Sequence, residues 1–171
     1  PLLRYRMNDL VKFEALEDKE TGVKLPQMIF AGRTSDVIDL AGYTGLIDEK
    51  LVWKAILNTG IQYEEWSIRK EVIGNNPVLH LYIELTDNSS AETVQKNVHQ
   101  QLKQLNPSYA DYESMIEAHP LRVTLLEPGA FMNYMKIQTA AGADLAHIKP
   151  PHMNAKDEAI EVLVSYKYNE D

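Results

Sequence analysis

Leu79, Leu81, Ile83 and Leu85 alternate with His80, Tyr82 and Glu84, the period-two signature of a strand whose two faces differ. Two helical stripes stand on either side of that segment. Leu51, Val52, Ala55 and Ile56 share one face behind Asp48 as the N-cap, and Gly60 suits the residue just past the helix end. Val94, Val98, Leu102 and Leu105 repeat at helical spacing behind a capping box formed by Ser89 and Glu92, and Asn106-Pro107 breaks the run. Ile61 to Val72 reads as a strand, turned by Gly74-Asn75-Asn76-Pro77 into the alternating one. A shorter helix is expected from Tyr109 to Ala118, ending at His119-Pro120, then a strand from Leu121 to Leu126.

The flanks are shorter elements. Leu10 to Phe13 and Met28 to Ala31 read as strands joined by a charged tip, Glu17-Asp18-Lys19-Glu20, with Gly22. Val37 to Leu40 continues extended into a loop holding Gly42 and Gly45. Pro128 opens a further helix that Gly142 closes near Ala141. After Lys149-Pro150-Pro151, Ala159 to Tyr166 reads as a last strand. From Met28 to Leu126 the order β-α-β-β-α-(α)-β predicts an α+β fold, a ferredoxin-like sandwich with helices on one face of an antiparallel sheet. A short N-terminal strand and hairpin precede it, and a C-terminal helix and strand follow.

Composition narrows the function. The 171 residues carry 17 Lys plus Arg against 25 Asp plus Glu, a net charge of −8. That balance opposes broad binding to a phosphate backbone, so no nucleic-acid partner is expected. With no cysteine, disulfides, thiolate metal sites and cysteine nucleophiles are all excluded. The lack of cysteine also leads to the expectation of a cytoplasmic setting, and no apolar run approaches the roughly 20 residues that span a bilayer, so no membrane partner is expected. The opening at Pro1 reads as a piece of a longer polypeptide. Five histidines include no close helical pair, so no metal site is expected. His147 and His152, flanking Lys149, read as polar surface. Neither a phosphate-binding Gly-x-x-x-x-Gly-Lys loop nor a nucleophile elbow occurs.

Two polar junctions remain. Arg4-Tyr5-Arg6-Met7-Asn8-Asp9 places a carboxylate just before a strand, where it can accept from vicinal ribose hydroxyls or simply cap a turn. Gly32-Arg33-Thr34-Ser35-Asp36 couples a permissive turn to a planar guanidinium suited to phosphate or hydroxyl groups, and taken alone it is a polar turn.

In sequence, these two junctions, the hairpin between them and the β-α-β-β-α-β unit form a compound signal. It resembles the adenylate-forming superfamily of acyl and aryl ligases. Within it, the chain is most similar to the C-terminal region of the Gretchen Hagen family of acyl acid–amido synthetases. Leu3 to Val11, Gly32 to Gly42, and Gly142-Ala143-Asp144 through Lys149-Pro150-Pro151 carry the likeness, which runs to about Asn154. Asn8 stands where the superfamily usually has glycine, Ser35 where it usually has aspartate, and Gly42-Tyr43-Thr44-Gly45-Leu46 where the family commonly continues Gly-Glu-Lys-Leu.

The resemblance implies that Asp9, with Arg6 and Arg33, contacts the nucleotide. It places a hinge at Ser35 and Asp36 and an acceptor loop at Gly42, Tyr43 and Thr44. Lys149 becomes the catalytic lysine that meets the phosphates or the acyl adenylate. It further implies ATP and Mg2+ as cofactors, held mainly by an N-terminal adenylation domain of the same polypeptide, with a carboxylic acid and an amine as substrates. Residues 1–27 would end the large domain, and 28–171 would form a mobile lid. On that reading the fragment alone is inactive. Two other readings stay open: the C-terminal domain of an acyl- or aryl-coenzyme A ligase, and a non-catalytic ferredoxin-like binding module.

Overall fold

A computed structural model describes residues 8–33, 36–40, 46–116, 119–142 and 149–167. Strands β1 (Asp9–Ala15) and β2 (Gln27–Arg33) form an antiparallel ribbon with Asp9 opposite Arg33. Much of its apolar surface is open to solvent, Phe13 by 59%, Leu16 by 82% and Phe30 by 64%. The short strands β3 (Val37–Ile38) and β4 (Ile47–Asp48) pair with each other and lead into α1 (Glu49–Asn58). Asp48 caps α1 as expected, its Oδ1 accepting the Leu51 N–H at 2.8 Å.

The central sheet has three strands, β5 (Tyr63–Ile73), β6 (Asn76–Leu85) and β7 (Leu121–Leu126), in that spatial order. β5 and β6 are an antiparallel hairpin. α2 (Ala91–Leu105) and α3 (Pro107–Met115) then carry the chain over to β7, which runs parallel to β6. The α+β class therefore holds, while the ferredoxin-like arrangement does not describe this sheet: β3 pairs with β4 and stays outside it. The free edge of β5 is instead extended by a parallel bridge between Ile68 and Met153.

Helices cover both faces of the sheet, which corrects the expectation of one covered face. On the first, Leu79, Leu81 and Ile83 of β6 pack with Ile56 of α1, Val94, Val98 and Leu102 of α2 and Tyr109 of α3. On the second, Tyr82 and Leu126 meet Phe131 of α4 (Ala130–Ala140) and Ile160 and Leu163 of α5 (Asp157–Ser165). The alternate residues of β6 are consequently buried too, with His80 at 5%, Tyr82 at 4% and Glu84 at 5% exposure. Each finds partners, as burial of polar groups requires. Glu84 accepts the Gly129 N–H at 2.5 Å and the Phe131 N–H at 3.1 Å, filling the N-terminus of α4, which has no side-chain cap of its own.

Two smaller corrections have clear causes. The segment expected as a last strand is α5: Ile160 and Leu163 lie three apart on one helical face, and Asp157 and Glu158 sit in the first turn, where the helix dipole favours carboxylates. A short apolar run is ambiguous between the two periods. The cap of α2 is Ser90, accepting the Thr93 N–H at 3.2 Å, one residue past the expected Ser89.

A second polar network spans β5, β6 and β7. Glu71 accepts from Tyr82 Oη at 2.7 Å and from Arg69 Nε at 2.6 Å, and its other oxygen lies 2.7 Å from His80 Nδ1. His80 Nε2 lies 2.8 Å from Thr124 Oγ1. Burial lowers the His80 pKa despite its carboxylate neighbour, so a neutral ring donating to Glu71 and accepting from Thr124 fits the geometry. Burial alone would raise Glu71, but hydrogen bonds from His80, Tyr82 and Arg69 outweigh it and bring its pKa from 4.5 to about 2.

A depressed carboxyl pKa stabilises the fold above the unfolded value and stops doing so as pH falls through the folded one. The stability advantage of the native chain over Glu71→Gln is therefore expected to be full above pH 4.5 and to vanish toward pH 2, measured by denaturant unfolding across that window. Leu102→Ala, at a fully buried position of α2, should cost about 2–5 kcal/mol by the same method. Val72→Ala, at an exposed one, should stay within about 0.5 kcal/mol.

Candidate functional site

The strand register of the ribbon brings the two polar junctions of the sequence to one end. Arg33 Nε lies 4.0 Å from Asp9 Oδ1, and the Arg33 side chain is 69% exposed. The residue before Asp9 explains a departure from the superfamily pattern. Asn8 has φ of 58°, in the left-handed region that glycine occupies freely and asparagine tolerates best among other residues. An asparagine in the usual glycine's place preserves that turn.

Arg33 opens onto a cleft of about 410 Å³ bounded by Gly32, Asp36, the first turn of α1 (Glu49 and Lys50), Trp53, Trp66 and His152. A second cleft of about 410 Å³ adjoins it, lined by Lys149, Pro150, Pro151 and Met153. Asp36, Glu49 and His152 form part of both walls. Arg33 and Lys149 thus stand on neighbouring openings, and Asp9 is joined to them through Arg33. Arg6, Ser35, Gly42, Tyr43 and Thr44 lie outside the described residues, as does His147.

The loop bearing Lys149 is anchored at many points. Ser67 Oγ donates to the Pro151 carbonyl at 2.6 Å. The Ile68 N–H donates to the His152 carbonyl at 2.7 Å, and the Asn154 N–H returns to the Ile68 carbonyl at 2.8 Å. Asn154 Nδ2 reaches the Val37 carbonyl at 2.9 Å. The His152 ring lies between Glu49 of α1 and Glu65 of β5 and stacks on Trp66, with centroids 4.5 Å apart.

Sequence reasoning took His152 as polar surface, and it passed over Glu49 and Glu65. Their assembly joins positions 103 and 87 residues apart, so no local spacing announces it. The clefts mix the cations Arg33, Lys50 and Lys149 with carboxylates, a lining suited to a polar, charged ligand. Among the described residues no cluster of three His, Asp or Glu side chains is placed to hold a metal. None of their helices is long and apolar enough to cross a membrane.

Comparison with known proteins places this architecture. The GH3 family C-terminal domain matches residues 50–158, more than half of the chain. No curated protein matches. Among solved structures, "GH3.15 acyl acid amido synthetase" superposes with a TM-score of 0.61 at 17% identity, covering 94% of this chain and 30% of that one. A structure described as "AtGH3.15 acyl acid amido synthetase in complex with 2,4-DB" gives 0.58 at 17% identity over the same shares. The chain thus spans less than a third of the length of these relatives. Its central sheet, α2, α3, α4 and the loop ending in Lys149-Pro150-Pro151-His152 lie within the matched span, and the chain belongs to the GH3 family as its C-terminal domain.

Proposed function

We propose that this chain is the lid of an ATP-dependent acyl acid amido synthetase working in the cytoplasm. A larger N-terminal domain of the same polypeptide supplies the acyl pocket and most phosphate contacts. Residues 1–27 close that domain, and residues 28–171 form the lid. What supports the reading is the family match together with the convergence of Arg33 and Lys149 on adjoining clefts that share His152.

ATP would supply the activation: a carboxylate would displace pyrophosphate at the α-phosphorus, and an amine would then attack the acyl carbon, losing a proton and releasing AMP as the amide forms. In that scheme the Asp9 carboxylate accepts from the ribose hydroxyls while Arg33 steadies it from across the ribbon. Lys149 neutralises negative charge that grows on the departing phosphate oxygens, an effect strongest in a closed, water-poor site. Ser35 and Asp36 form the hinge about which the lid turns, exchanging the side chains that cover the intermediate. Arg6 is assigned to nucleotide binding, and Gly42, Tyr43 and Thr44 to the acceptor loop. Mg2+ is assigned to the N-terminal domain.

The test uses the full-length polypeptide. Asp9→Ala and Lys149→Ala should each lower acid-dependent ATP–pyrophosphate exchange by about tenfold or more, a loss of at least about 1.4 kcal/mol. Unchanged exchange in both removes the site assignments. A panel of amino acids should discharge the acyl adenylate as amides, whereas discharge by coenzyme A alone would reassign the acceptor. The chain by itself should turn over no substrate.

A further inference from the structure

Between the two clefts one side chain is held from three directions. His152 Nδ1 lies 2.5 Å from Glu49 Oε1 at the start of α1, and Nε2 lies 2.7 Å from Glu65 Oε1 on β5. The ring stacks on Trp66 at an interplanar angle of 9°. Its backbone is fixed as well, the carbonyl accepting from Ile68 and the amide donating to the Pro150 carbonyl at 2.9 Å. Prolines at 150 and 151 leave the chain little freedom between this residue and Lys149.

The chemistry of the ring follows from its partners. A neutral imidazole has one N–H and one lone pair, so one of its nitrogens would confront a carboxylate oxygen with no hydrogen between them. An imidazolium donates to both. Burial would lower the ring's pKa, but the hydrogen bonds to Glu65 and Glu49 outweigh it and raise it above the usual 6.5. The other charged groups lining the two clefts are Asp48 at the end of β4, Lys50 on α1, Arg33 at the end of β2, Asp36 ahead of β3, and Lys149 on the loop itself.

We propose that His152 is a positioning residue for Lys149: an imidazolium bridging Glu49 and Glu65 that seats residues 149–154 against the edge of β5. What it positions Lys149 to do rests on the synthetase reading, whereas the clamp does not. The loop's other hydrogen bonds hold it to β5 and β3; the clamp joins it also to α1, whose first turn lines the same cleft as Arg33. It thereby ties the loop that carries Lys149 to the wall shared by the two clefts. Because the ring's pKa is raised, the clamp is complete below pH 6.5 and is lost as pH rises through the higher folded-state value.

Two readouts separate the clamp from the chemistry. The first is amide hydrogen exchange at Asn154 and Ile68 in this chain, across a pH series and corrected for intrinsic rates. His152→Ala should accelerate exchange at Asn154 about tenfold or more, and native protection should fall above pH 6.5. His152→Arg, which keeps a two-pronged cation at every pH, should restore protection and abolish that fall. The pH series on the native chain stands even if His152→Ala does not fold. Unaltered protection in His152→Ala, or a native profile flat through that range, overturns the clamp.

The second readout is kcat for pyrophosphate exchange in the full-length polypeptide. His152→Ala should lower it about tenfold, with His152→Arg recovering most of the loss. A loosened loop with unchanged kcat overturns the positioning role. A native full-length protein that performs no exchange at all fails the synthetase reading alone, because amide exchange needs no substrate.

Discussion

Strand β6 is buried on both faces, and most of the architecture follows from how its polar half is satisfied. Leu79, Leu81 and Ile83 need only apolar neighbours, which α1, α2 and α3 provide. His80, Tyr82 and Glu84 lie on the other face and lose their water when α4 and α5 cover it. An unpaired buried polar group costs about 1–3 kcal/mol, so each must be matched. Glu84 meets that need by receiving two backbone N–H groups at the start of α4, which fixes where that helix begins. His80 and Tyr82 meet it through Glu71 of β5, and His80 also meets Thr124, which brings β7 into the same network. Polarity in this strand therefore does not mark a solvent face. It specifies which helix docks there and in what register.

The same fact explains what was legible in the sequence. Period-two alternation identified β6, helical spacing identified α1 and α2, and Asp48 announced its own cap, because each signal is local. The covering of the second face was not legible, since alternation of Leu with His, Tyr and Glu looks the same whether the polar side meets water or a network. The turn from expected strand to helix at residues 157–165 has a related cause. A short run of Ile, Val and Leu carries both periods, and only packing of Ile160 and Leu163 against the sheet decides between them.

At the candidate site, motif order singled out Asp9, Arg33 and Lys149 as candidates, and strand pairing set the first two across from each other. The group between them escaped detection. A histidine beside two prolines looks like loop surface until α1 and β5 each place a glutamate on it, and those contacts exist only in the folded chain. Asn8 was a departure in sequence and a match in conformation: the backbone there asks for a left-handed residue, and asparagine is the usual second choice after glycine.

The β1–β2 ribbon stands apart from this network in one respect. Its ladder is formed between two strands alone, with Phe13, Leu16 and Phe30 largely in water. Such ribbons are marginal in solution unless something leans on them. Fluctuations that separate β1 from β2 can therefore occur while the central sheet stays intact, the ordinary behaviour of a region poor in buried contacts. The Asp9–Arg33 pair is mounted at the end of that ribbon, so its geometry depends on the least self-sufficient of the described elements. Pre-organisation of the pair is then a property that a neighbouring surface must lend to it.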